Sequence, residues 1–108
     1  SISFTRIYGL NQIWNQKNNW SWSCIGMPRE QHGFLYIFCD EVHIVDKTGE
    51  ESFFRKGDLL YIPKNSEYSI EFSATQSELS NILINFNIQD TNGEEYERFL
   101  LSVFLCFR

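Results

Sequence analysis

The sequence predicts an all-β fold, a small sandwich or barrel, on three observations. Short runs of aromatic and β-branched residues recur along the chain, clusters of Gly, Asn, Asp and Pro separate them, and at least one run alternates cleanly between apolar and polar positions. Strands at this spacing fit a sandwich or barrel rather than βαβ units.

Residues 1–19, with the polar stretch NQIWNQKNN inside them, read as a loop-like N-terminal arm. Trp20, Trp22 and Cys24 then alternate with Ser21 and Ser23, which gives a strand before Pro28. FLYIFC, starting at Phe34, is apolar or aromatic throughout, the pattern of a strand covered on both faces. EVHIVD follows as another strand. DKTGE supplies Asp46, Thr48 and Gly49 for a hairpin turn, because glycine tolerates positive φ. ESFF resumes the sheet, RKGD turns it again, and LLYI runs up to Pro63, which has no N–H for a ladder and so ends that strand. PKNS has the residue types of a corner. Tyr68, Ile70 and Phe72 alternate with Ser69, Glu71 and Ser73, so Tyr68 shares the apolar face and its ring is expected in the barrel interior. After the polar connection SATQSELS, Ile82, Ile84, Phe86 and Ile88 alternate with Leu83, Asn85, Asn87 and Gln89, and only Leu83 breaks the pattern. DTNGEE is a turn. The final stretch, 94–108, places Tyr96, Phe99, Leu100 and Val103 at helical spacing, yet LLSVFLCF is apolar all round and equally fits a buried strand.

The 108 residues fit one domain, which buries roughly 65% of the surface its unfolded chain exposes. Aromatic residues at 17% and charged residues at 21% are those of a packed protein rather than a disordered tail. A net charge of −5 opposes attraction to phosphate backbones and anionic lipid, so the chain is not expected to bind DNA by itself or to bind a membrane. Cys24, Cys39 and Cys106 are odd in number and lack CxxC spacing, which indicates buried reduced thiols rather than disulfides or a zinc knuckle. No basic leader with a cleavage site opens the chain, and no run of about 18 apolar residues occurs. A cytoplasmic protein is the expectation.

Gly57, Pro63, Asn65 and Tyr68 stand where the second motif of the cupins, small double-sheet barrels, has glycine, proline, glycine and histidine. More narrowly, GDLLYIPKNSEYSI with NILINFNI after a variable loop, and PREQHGFLYIF upstream, resemble the N-terminal ligand-sensing and dimerisation domain of AraC-type transcription regulators over residues 20–90. The resemblance implies a double-stranded β-helix (cupin/jelly-roll) barrel at 20–90, with 94–108 as an apolar C-terminal helix or strand. It also implies a non-enzymatic role: a small molecule such as a sugar in the barrel, a homodimer, and DNA bound only through a separate helix-turn-helix domain not in this chain. The rival readings are a small cupin enzyme, an isomerase, epimerase or dioxygenase, and a purely structural dimerisation module.

Metal-dependent cupins present three histidines and a glutamate to a divalent ion. This chain has two histidines, His43 lies in a later strand, and the second-motif position holds Tyr68. A phenol with a pKa of about 10 is a poor ligand at neutral pH, so neither a metal site nor another cofactor is expected. The ligand-binding candidates are Tyr68, His32, Trp20, Trp22, Tyr36 and Arg29, each with a structural alternative. Tyr68 fits a ligand contact or a core tyrosine bonded to a backbone carbonyl. His32, beside Gly33, fits a base, a ligand contact or a structural hydrogen bonder. Arg29 fits a partner for a carboxylate or sugar hydroxyl, or a surface pair with Glu30 or another acid. Trp20 and Trp22 fit a stacking platform or plain core, and Tyr36 is a weaker candidate. Glu50, Glu51, Glu94 and Glu95 fall in turns and read as solvated. No nucleophile with a local base, phosphate loop or paired carboxylates stands out.

Overall fold

The computed structural model describes residues 5–15, 19–73, 79–96 and 105–107. They form nine strands: β1 (Arg6–Asn15), β2 (Trp20–Ser23), β3 (His32–Ile37), β4 (Glu41–Asp46), β5 (Glu51–Arg55), β6 (Leu59–Ile62), β7 (Tyr68–Ser73), β8 (Asn81–Gln89) and β9 (Leu105–Phe107). Among the described residues there is no helix, hence none long and apolar enough to cross a membrane.

Two antiparallel sheets result, ordered β1-β8-β3-β6-β9 and β2-β7-β4-β5. The pairs β1–β8, β2–β7, β3–β6 and β4–β5 nest inside one another, as if one long hairpin had been rolled up. That nesting is the jelly-roll order, the fold that the resemblance to cupins implies.

The corners are built as their residue types require. Asp46 Oδ1 accepts from the N–H groups of Thr48 and Glu50 and closes the β4–β5 turn. Gly57 takes φ 91° between β5 and β6, and the buried Asp58 accepts the Arg55 N–H at 2.9 Å through Oδ2. Asn65 takes φ 71° after Pro63, a left-handed conformation that asparagine tolerates better than most residues. This second corner also fixes Arg29, whose N–H donates to Ser66 O at 3.1 Å and whose carbonyl accepts from Asn65 N at 2.9 Å.

The core lies between the sheets: Leu35, Ile37, Leu60 and Ile62 from one, and Val42, Ile44, Ile70 and Phe72 from the other. Cys24 and Cys39 are buried with it and Cys106 packs against it, all three as free thiols.

Three readings of the sequence are corrected. Residues 6–15, within the segment read as a loop-like arm, form the ten-residue strand β1, because hydrogen bonding to β8 stabilises a segment whose own composition is undecided. The stretch FLYIFC is not covered on both faces, since Tyr36 is 40% exposed on the outer side. Glu95 is not solvated: Tyr8 and Gln89 donate to its Oε1, and its Oε2 is shielded from water. Of the apolar C-terminal stretch, 105–107 is the strand β9 paired with β6, and 97–104 lies outside the described residues.

In β8 it is the polar side that faces inward. Asn81, Leu83 and Asn85 look into the space between the sheets, whereas Ile84, Phe86 and Ile88 line an apolar groove with Ile7 and Phe34 on the outer face.

Candidate functional site

A cavity of about 280 Å³ lies between the sheets. Its middle is apolar, walled by Ile13, Trp22, Leu35, Ile62, Ile70 and Leu83. Its polar groups come from Asn15, Arg29, Tyr68, Asn81 and Asn85, while Trp20 lines it with its ring.

Arg29 is delivered by the loop between β2 and β3, where the two backbone bonds to the Asn65–Ser66 corner hold it beside the start of β7. Its side chain turns into the cavity, with Nη2 donating to Asn85 Oδ1 and Nη1 lying 3.5 Å from the Tyr68 hydroxyl. Gly33, on the inward face of β3, leaves the room: a Cβ there would lie 2.7 Å from Arg29 Nη2 and 3.2 Å from Leu83 Cδ1. The surface pairing of Arg29 with Glu30 or another acid is not what the structure shows; among the described residues no carboxylate lies within ion-pair distance of it.

Tyr68 is 2% exposed and faces the cavity with Ile70 and Phe72 on β7. Burial raises its pKa above the ordinary phenol value, outweighing the lowering by the Arg29 charge and hydrogen bond. It therefore stays a neutral hydroxyl at physiological pH. Trp20 stacks on Phe72, with centroids 4.7 Å apart, and Trp22 meets Tyr68 edge-on while remaining 44% exposed at the rim.

His32 and Tyr36 are not part of this constellation. Both project from the opposite face of β3, alternate positions to Leu35. His32 is fully buried there and makes three hydrogen bonds. Its Nδ1 accepts from Lys64 N at 3.2 Å and from the Tyr61 hydroxyl at 2.9 Å, and its Nε2–H donates to Tyr96 O at 2.7 Å. His43 is on the outer face of the other sheet, stacked on Phe53 and 3.0 Å from Glu51.

The second cupin motif thus brings a phenol, not an imidazole, to the cavity. Among the described residues lining it there is no acid and no histidine, and no group of three His, Cys, Asp or Glu is placed to hold an ion. The donor set does not fit the metal of the metal-dependent cupins. A neutral phenol, a guanidinium, indoles and amides can bind and orient a small molecule by hydrogen bonds and stacking; they supply no base–nucleophile pair.

Sequence reasoning named Trp20, Trp22, Arg29 and Tyr68 but missed Asn15, Asn81, Leu83 and Asn85. The available signal was Leu83 interrupting the polar side of β8, since an apolar residue among amides marks that side as partly enclosed.

No protein-family model matches the chain, and no curated protein sequence matches it. Solved structures similar to it include two of ToxT from Vibrio cholerae. One is 14% identical with a TM-score of 0.45, covering 81% of this chain and 30% of ToxT. The other is 12% identical with a TM-score of 0.48, covering 77% and 29%. A third is an ethanolamine utilization protein Q from Salmonella typhimurium, 18% identical with a TM-score of 0.42, covering 76% of this chain and 56% of that one. The chain therefore spans less than a third of the ToxT chains.

Proposed function

We propose that this chain is the effector-sensing and dimerisation part of an AraC-type regulator of the cytoplasm, non-enzymatic and metal-free. In this reading a small molecule occupies the space between the sheets, a second copy pairs with the first, and DNA is bound by a helix-turn-helix region outside residues 1–108. The resemblance carried by GDLLYIPKNSEYSI, NILINFNI and PREQHGFLYIF supports the family assignment.

The observation that carries the sensing role is the cavity itself. A purely structural dimerisation module fills its barrel with its own side chains, whereas here about 280 Å³ remains, with Arg29, Tyr68 and Trp20 among the residues lining it. That volume is close to the small end of ligand pockets, roughly 300–1,000 Å³, so the occupant is metabolite-sized. Its effect on DNA binding follows from linkage: the occupant biases the dimer only as far as it binds one arrangement more tightly than the other.

The test is a thermal-shift screen of the purified chain against sugars, organic acids and other small metabolites, with Leu83→Trp as a cavity-filling control. A true effector raises the melting temperature of the native protein and not that of the filled variant. A screen without hits removes the sensing role, and stoichiometric iron, manganese or zinc in the purified protein, or turnover of a compound, would favour a cupin enzyme instead.

A further inference from the structure

The two sheets differ on their outer sides. In the β2-β7-β4-β5 sheet the register sets Ser21 beside Glu71, His43 and Phe53 in one row, and Ser73 beside Glu41 and Arg55 in another, a mixed and largely polar surface. In the five-stranded sheet the register lines up Trp14, Ile82, Tyr36, Leu59 and Phe107, one from every strand, on the side opposite the core residues Leu35 and Leu60. Ile84, Leu10 and Ile7 carry the apolar surface on along β8 and β1. None of these eight side chains is charged. An antiparallel sheet packed on one side commonly turns a polar face to solvent. This one is largely apolar on both sides.

The surface is open. Ile7 is 61% exposed, Leu10 63%, Trp14 59%, Tyr36 40% and Phe107 45%. Together these five expose roughly 450 Å² of side chain, and the half-buried Ile82, Ile84 and Leu59 add to it. That reaches the size at which an apolar patch is functional, and it is more than half of the about 800 Å² that each partner gives to a standard interface. Tyr96 and Leu105, which flank residues 97–104, both stand away from Tyr36. The Tyr96 carbonyl accepts from His32, and Leu105 pairs with Tyr61, so the chain enters β9 from the His32 end of β3.

Resting on the dimerisation proposed above, we infer that the second copy docks on this outer face, sheet against sheet, with Trp14 and Tyr36 as its aromatic anchors. Charge selects the face. Each copy carries −5, and an approach through the other sheet would set Glu41, Glu51 and Glu71 of one copy against those of the next. The row from Trp14 to Phe107 brings no acid to meet another. It also suits a two-fold axis, because an apolar surface meets its own copy without needing an opposite charge. Aromatic residues are enriched at the centre of such interfaces, and charged ones are depleted there. Two sheets packed in this way lie about 10 Å apart, as in a sandwich interior. The same negative charge opposes an anionic lipid surface as the occupant.

Sedimentation equilibrium of the purified chain tests this, with Trp14→Glu and Tyr36→Glu on the docking face and Phe53→Glu, 56% exposed on the other sheet, as the control. The native chain is a dimer. Its dissociation constant rises at least about thirtyfold in each of the first two variants, the range of interface hot spots, and is unchanged in Phe53→Glu. Salt tightens the native dimer by screening the repulsion between the copies. Each variant keeps the native circular dichroism, because the substituted side chain stands in solvent within one copy. Hydroxyl-radical footprinting of the native chain supplies a reading that needs no substitution: oxidation of Trp14 and Tyr36 falls as protein concentration rises, and that of Phe53 does not. A dimer indifferent to both substitutions, weakened by salt, or oxidised at Trp14 and Tyr36 equally at all concentrations overturns the inference and leaves the dimerisation role standing. A monomer at every concentration overturns both; if Trp14→Glu and Tyr36→Glu then melt well below the native protein, the chain itself covers the face.

Discussion

Replacing His32 by alanine separates a structural histidine from a ligand contact. The side chain is fully buried on the outer side of β3, between Tyr61 and Phe86, and its three hydrogen bonds tie β3 to the Pro63 corner and to the chain at Tyr96. At about 1 kcal/mol net for each bond, truncation loses about 3 kcal/mol. The void left by the ring adds about 2 kcal/mol, the low end for a large-to-small change in a packed site. About 5 kcal/mol is a large share of the 5–15 kcal/mol expected of a whole domain. At about 4 °C per kcal/mol for this size, the melting temperature falls by about 20 °C. Tyr61→Phe removes one of the three bonds and serves as an internal scale, at about 1 kcal/mol. Thermal and urea unfolding followed by circular dichroism measure both. If His32→Ala unfolds within about 1 kcal/mol of the native protein yet loses the effector-induced shift, the structural assignment is wrong and His32 belongs to the binding site.

Gly33→Ala drives a methyl group against the Arg29 guanidinium, a flexible group that moves aside; we expect a stability loss of about 1 kcal/mol, typical of mild overpacking, together with a marked loss of effector binding by calorimetry. Unchanged binding would show that Gly33 does not make the room for Arg29. In acid, the Glu67 carboxyl is held below its usual range first by the Gly26 N–H and then by Lys47, and Asp46 first by the Thr48 hydroxyl. Because folding depresses these pKa values, their contribution is fully present above a pH of about 4.5 and is lost as pH falls through the lower folded values. Melting temperatures measured from neutral to acid pH should be flatter in this window for Glu67→Gln than for the native protein, and superimposable curves would contradict this. Burial raises the thiol pKa values of Cys24 and Cys39, so a thiol reagent at neutral pH should label half-buried Cys106 first and the other two only on unfolding. Mass spectrometry after brief labelling reads the order, and early modification of Cys24 or Cys39 would refute it.

By itself the sequence determined the strands from β2 to β8, their turns and the placement of Tyr68. These depend on local chemistry: glycine or asparagine where φ is positive at 57 and 65, a proline ending β6, and alternation with period two along β7. It also placed a phenol where a metal-binding barrel needs an imidazole. Tertiary structure decided the rest, because pairing and facing are properties of two segments and not of one. Residues 6–15 are a strand only because β8 lies beside them. Alternation in β8 announces two faces without saying which is inside, and the amides, not the isoleucines, turned out to look into the cavity. Arg29 reads as a surface charge along the chain; it becomes the cavity's cation because Asn65 and Ser66 grip its backbone and Gly33 leaves space for its tip. His32 and Leu35 are three residues apart on one strand, and that odd spacing sends the first away from the cavity and the second into it.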